Sequence, residues 1–220
     1  MKKVLLMTLA LGLLATSALA NVAGTKHNLA PTGPGTVKSD NYDEVCVFCH
    51  TPHGASTSVT NAPLWNRTYA MGALDAADLY TSTTLTAAST PDAALAAAIA
   101  ATDAPLCFSC HDGTSVDDAL VNPSNLASNA QPTGIGTITT ADILGDGAGA
   151  NKLKNDHPIG MDYAAAQGAD NGLKATPAGI TFYGGKMWCS SCHDVHDNTH
   201  SPFLAKDNAG SALCTSCHNK

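Results

Sequence analysis

The sequence has few of the residues that build an ordinary hydrophobic core. Aromatic residues make up only 5% of the 220 positions and charged residues 13%, while glycine, proline, alanine and small polar residues are abundant. A chain of this composition has difficulty offsetting its lost conformational entropy with its own side chains. We therefore expect another component to supply much of the core.

Basic stripes and long apolar runs are also missing. The formal net charge is −7 and no cluster of lysine or arginine stands out, which argues against binding to a phosphate backbone. Beyond the first 20 residues, no segment is long and apolar enough to cross a membrane. The sequence thus predicts neither nucleic acid as a partner nor a transmembrane segment in the mature chain.

Residues 1–20 have the pattern of a cleaved secretory signal peptide. Lys2 and Lys3 precede a short apolar run that ends in the small-residue triplet Ala18-Leu19-Ala20. An uncleaved membrane anchor would need a longer apolar span. We predict a single mature domain at 21–220, with a formal charge of −9 once the two lysines are removed. We expect it to be extracellular or on the outer cell surface, with the periplasm as the alternative.

All eight cysteines occur in pairs, and a histidine follows each pair. The four C-x-x-C-H motifs are Cys46/Cys49-His50, Cys107/Cys110-His111, Cys189/Cys192-His193 and Cys214/Cys217-His218. In this motif both thiols form thioethers to a porphyrin and the histidine binds its iron. The sequence therefore predicts four covalently bound haem c groups, with these four histidines as proximal ligands.

Two other interpretations use the same cysteines. A zinc ion could be bound by Cys189, Cys192, Cys214 and Cys217, since the 21 residues between these pairs are near the spacing of zinc ribbons. Four disulfides would suit an exported chain. Neither interpretation explains why histidine follows every pair.

Four haems would leave about 50 residues of chain for each cofactor, so the porphyrins would provide the missing apolar core. We predict an irregular haem-rich multihaem cytochrome fold of mostly loops with short α-helices and little or no β-sheet. Each motif should form one helical turn, and the third and fourth motifs should be close neighbours because their first cysteines are 25 residues apart. Further helices are predicted at 92–102, at 75–80 and at 163–167, the last ended by Gly168.

The distal ligands decide the chemistry, because a second strong ligand closes the iron and leaves only electron transfer. We predict His27, His53, His157 and His196 as distal ligands and His200 as the spare histidine. Met71, Met161 and Met187 are more simply packing residues. His53 and His196 each follow a proximal histidine by three residues, so they point along the same face and cannot reach the far side of the same iron. Each should therefore bind a different haem.

The chain resembles secreted bacterial multihaem cytochromes, most nearly the tetrahaem outer-surface cytochromes of metal-reducing bacteria. The resemblance lies in residues 24–29, 46–53, 62–67, 106–114, 156–158 and 213–218. It implies bis-histidine haems in a continuous chain of stacked and perpendicular pairs. In filament-forming members the second histidine of the first motif binds a haem of the adjacent subunit, a role that would fall on His53.

The expected function is thus electron transfer rather than catalysis. The resemblance implies a homopolymer with head-to-tail contacts, and other redox cytochromes or extracellular acceptors as partners. One alternative is a monomeric periplasmic electron shuttle, in which His53 would bind a haem of its own chain. Another is a multihaem reductase of a small nitrogen oxyanion, which would keep one iron open.

Overall fold

The computed structural model describes residues 20–58, 62, 64–69, 78–88, 97–117, 119–123, 130–145 and 153–219. The signal segment apart from Ala20, Met71 and residues 75–77 of the helix predicted at 75–80 lie outside these residues. So does the first part of the helix predicted at 92–102, of which residues 97–100 are helical. The described half of the helix predicted at 75–80 is not α-helical, because Leu79 forms an isolated bridge with Leu153 instead. No helix in the described ranges is long and apolar enough to span a bilayer.

Short helices joined by long loops make up the described chain. The α-helices are α1 (Ala20–Ala23), α2 (Thr83–Ala88), α3 (Ala104–His111), α4 (Tyr163–Ala169) and α5 (Cys214–Cys217), and the 3-10 helices are Thr140–Asp142, Cys189–Ser191 and Ala209–Ser211. Among the residues described, β-pairing is limited to isolated bridges such as that between His50 and Trp65. The predicted irregular fold of loops and short helices is confirmed.

Helix α4 begins where the sequence predicts but does not end there. The Asp162 carboxylate accepts a hydrogen bond from the Ala165 N–H at 2.9 Å and caps the first turn. At the other end, the Asp170 N–H still donates to the Ala166 carbonyl at 3.0 Å. Gly168 therefore lies inside the last turn rather than after it, which corrects the prediction that it ends the helix.

The buried side chains form two separate clusters of modest size. The helical cluster consists of Leu79, Leu85, Ile99, Ala104, Phe108, Leu153, Met161, Tyr163, Ala166, Met187 and Cys217. The N-terminal cluster consists of Tyr42, Val47, Phe48, Val116, Leu120 and Ile135. Cys189 and Cys192 pack against the first, and Cys49 and Cys110 pack against the second. The apolar packing of the chain is thus centred on the C-x-x-C-H motifs.

The start of α3 is joined to the third motif by one carboxylate. Asp103 precedes the helix, but its side chain does not cap it. Its two oxygens instead accept hydrogen bonds from the Cys189 and Ser190 N–H groups, at 3.0 and 2.8 Å. This contact holds the second and third motifs against each other.

Candidate functional site

Each C-x-x-C-H motif forms a single helical turn, as predicted. The backbone N–H of the histidine donates to the carbonyl of the first cysteine at 2.8 Å in the first motif and at 3.0 Å in the third and fourth. The second motif lies within α3. Residues three and four apart in a helical turn share one face. Every motif can therefore present two thiols and one imidazole to the same side.

No disulfide joins any of the eight cysteines, all of which lie within the described ranges. The alternative of four disulfides is therefore wrong. The part of the chain described by the structure also contains no group of three or more histidine, cysteine or acidic side chains placed to hold a metal ion. Cys189, Cys192, Cys214 and Cys217 do not converge as a zinc site requires.

Cysteines from neighbouring motifs lie close together. A hydrogen bond with the Cys107 thiol, together with burial, raises the pKa of Cys189 well above its usual value. Burial, with the Cys110 thiol nearby, raises the pKa of Cys49 to about 12. The second motif thus contacts the third through one of its cysteines and lies beside the first through the other.

The third and fourth motifs are also neighbours. Burial raises the pKa of Cys192, and the nearby thiols of Cys217 and Cys214 raise it further. This proximity confirms the prediction from their short separation in the sequence. The attachment motifs therefore follow one another in space in their chain order.

Three of the proximal histidines face a histidine from elsewhere in the chain. The ring centroids are separated by 6.2 Å for His111 and His27, 6.1 Å for His50 and His196, and 6.3 Å for His218 and His157. An iron held about 2 Å from a nitrogen of each imidazole places the two ring centres roughly 6 Å apart. These three pairs therefore have the spacing that a bis-histidine haem iron requires.

Backbone carbonyls orient several of these imidazoles. Nδ1 lies 2.5 Å from the Asp142 carbonyl in His111, 3.0 Å from the Pro158 carbonyl in His157 and 3.3 Å from the Pro202 carbonyl in His193. A carbonyl oxygen can only accept, so Nδ1 carries the proton. The lone pair is then on Nε2, the atom available to iron.

His27 is held in a crowded environment. Its ring packs on the Phe203 ring, with 4.4 Å between centroids. Burial, reinforced by nearby His111, lowers the pKa of His27 to about 4. A histidine must be neutral to bind a metal, and this environment favours the neutral form.

His193 has no facing imidazole. No ring contact joins it to another side chain in the described ranges, although His27 is near enough for His193 to lower its pKa, and Nδ1 of His193 is oriented as in the other sites. His53 is exposed, and its carbonyl accepts hydrogen bonds from Thr51 Oγ1 at 2.9 Å and Asn122 Nδ2 at 2.8 Å. The structure therefore pairs His27, His157 and His196 with proximal histidines. It shows no ring contact of His53 or His200 with His193, although the His200 carbonyl bonds to Leu204, which is bridged to His193.

Two further features surround the motifs. The indole N–H groups of Trp65 and Trp188 are buried without a hydrogen-bond partner, and Trp65 meets His50 edge to face. Arg67 is buried beside the first two motifs. Sequence reasoning did not single out Arg67. The available signal was that it is the only arginine in the sequence.

Residues 182–220, which contain the third and fourth motifs, match the family model of the doubled CXXCH motif. The match covers less than half of the chain, and for this part it suggests a multihaem c-type cytochrome. The C-x-x-C-H motifs accordingly imply covalently bound haem c, and the family suggests an electron carrier. No curated protein matches the chain.

Proposed function

We propose that the protein transfers electrons through four covalently attached haems, one at each C-x-x-C-H motif. The two cysteines of each motif would form the thioethers, and His50, His111, His193 and His218 would bind the irons. The haems supply the redox chemistry, and the chain fixes their positions. The contacts between thiols of successive motifs support a row of haems close enough for electrons to pass along it.

Three distal ligands follow from the facing imidazoles. His196 would close the iron of His50, His27 that of His111, and His157 that of His218. His196 follows the third motif by three residues, so this ligand would hold the first and third haems close together. Closed irons favour electron transfer over the binding of a small oxidant.

The iron of His193, in the third motif, is the basis for proposing a filament. His193 lacks a facing ring, while His53 stands exposed on a loop whose backbone is fixed by Thr51 and Asn122. We propose that His53 of one subunit closes the iron of His193 in the next. Such a head-to-tail contact propagates as a filament unless its rotation closes a ring. Electrons would then cross from subunit to subunit outside the cell without leaving the row of haems.

Replacement of His53 tests this assignment. His53→Ala should keep four haems, abolish filaments in electron micrographs and give one high-spin ferric haem in electron paramagnetic resonance. His200→Ala, the matched control, should leave both filaments and spectra unchanged. Intact filaments from His53→Ala would refute the bridging role.

The missing facing ring at His193 is also compatible with the two alternative functions. In a monomeric periplasmic shuttle, His200 or His53 of the same chain would close this iron. In a reductase of a small nitrogen oxyanion, the iron would stay open. Native protein of single-chain mass with only low-spin haems would favour the shuttle. The same mass with one high-spin haem would favour the reductase.

A further inference from the structure

Arg67 is a buried cation whose hydrogen bonds are incomplete. It is 1% exposed and is the largest of the fully buried side chains described. Its Nη2 donates to the carbonyls of Ser109 and Val116, both at 3.1 Å. Its Nε and Nη1 atoms are buried without a hydrogen-bond partner. Burying a guanidinium in this way is costly, which calls for an explanation beyond packing.

Among the described residues, no side-chain carboxylate pairs with this charge. Arg67 takes no part in an ion pair of the described residues, such as that of Lys26 with Asp142 at 3.9 Å. A guanidinium does not lose its proton in a protein, so burial cannot remove the charge. Arg67 is therefore a permanent positive charge inside the protein.

The charge lies beside two haem-attachment motifs. The preceding residue, Asn66, donates its N–H to the Cys49 carbonyl at 2.9 Å, and Ser109, which receives the guanidinium, directly precedes Cys110. The side-chain amide of Asn66 also donates to the Val47 carbonyl, inside the first motif, at 2.7 Å. The field of Arg67 therefore reaches the first and second motifs together.

We propose that Arg67 raises the reduction potentials of the haems attached at Cys46/Cys49 and Cys107/Cys110. This inference depends on the haem attachment proposed above. When an electron from a redox partner converts Fe(III) to Fe(II), the iron centre loses one positive charge. A fixed cation nearby favours the less positive, reduced state, and its effect is strong where water is excluded.

The cations near the fourth motif provide a natural comparison. Lys174 and Lys206 are only partly buried, and their ammonium groups donate to the Thr215 carbonyl and to Ser216 Oγ. Mobile ions can screen charges at such positions. We therefore expect the haems at the N-terminal end of the row to have higher potentials than the haem attached at Cys214/Cys217.

The test is a spectroelectrochemical titration of the haem-loaded protein, with individual haems followed by nuclear magnetic resonance. Arg67→Gln should shift the potentials of the first two haems to lower values by an amount that persists at high salt. Arg67→Lys, which keeps the charge, should largely restore them. Lys206→Gln should cause a smaller shift, confined to the fourth haem and reduced by added salt.

Three results would overturn the proposal. Equal shifts in Arg67→Gln and Arg67→Lys would assign Arg67 a purely structural role. Unchanged potentials in Arg67→Gln would remove the electrostatic role altogether. If Arg67→Gln does not assemble, the unmodified protein decides, because lower potentials at the first two haems than at the fourth would contradict the proposal. If the mass of the haem-loaded protein showed fewer than four attached haems, the proposed function itself would be refuted.

Discussion

At the scale of single residues, the histidines differ in how their rings are held. His111, His157 and His193 each have a backbone carbonyl on Nδ1, whereas His27 is fixed by packing against Phe203. The carbonyl contacts leave Nε2 of the first three rings available, and all four rings are oriented before any iron is bound. Orientation of this kind lowers the entropy that must be lost when a ligand closes an iron.

The proposed ligand His196 gives a prediction at this scale. His196→Ala should keep four haems but convert the iron of His50, and no other, to a high-spin ferric state. The substitution removes the imidazole that faces His50, with 6.1 Å between the ring centroids. Electron paramagnetic resonance of the oxidised protein measures this change. His200→Ala serves as the control and should remain low-spin. A fully low-spin spectrum for His196→Ala would show that another side chain closes that iron.

At the scale of elements, contacts between motifs are more informative than the helices themselves. Isolated helices shorter than about 12–15 residues are marginal in water, and every α-helix given in full above is shorter than that. Their positions therefore depend on contacts such as that of Asp103 with the third motif. This carboxylate joins residues that are far apart in the sequence.

Asp103→Ala should lower the free energy of unfolding by about 1–3 kcal/mol, because it leaves the Cys189 and Ser190 N–H groups without their acceptor. The matched control is Asp162→Ala, which removes one capping bond and should cost about 1 kcal/mol. Denaturant unfolding of the haem-loaded protein measures both. Hydrogen exchange at Cys189 and Ser190 should accelerate only in Asp103→Ala, and unchanged protection there would contradict the role of Asp103.

The sequence was sufficient for local features of these elements. The motif turns and the start of α4 were predictable because each depends on residues within about one helical turn. The facing of His50 with His196, or the burial of Arg67, was not predictable in this way. Both depend on contacts between segments distant in the chain, and no local pattern encodes which segments meet.

At the scale of the whole molecule, the polypeptide has two small clusters of buried side chains instead of one large core. Both include or contact motif cysteines, so the proposed haems would lie where the apolar packing is concentrated. We expect the haems to contribute most of the apolar surface that the fold buries. Stability and haem content should therefore be inseparable.

Residues 21–220 produced without haem attachment should consequently lack a cooperative unfolding transition, because the apolar surface of the chain alone is too small. Near-ultraviolet circular dichroism and the dispersion of amide resonances measure this loss. The same residues exported and loaded with haem are the control. A sharp, cooperative transition in the haem-free chain would show that the polypeptide folds by itself.

The contact between the Cys107 and Cys189 thiols has a consequence for biosynthesis. Both thiols are only half-buried, but they lie against each other, so a porphyrin can bond to both sulfurs only where the two segments are apart. We therefore expect haem attachment at these two motifs to come before the two segments pack together. Haem attachment would then precede the packing of the second motif against the third.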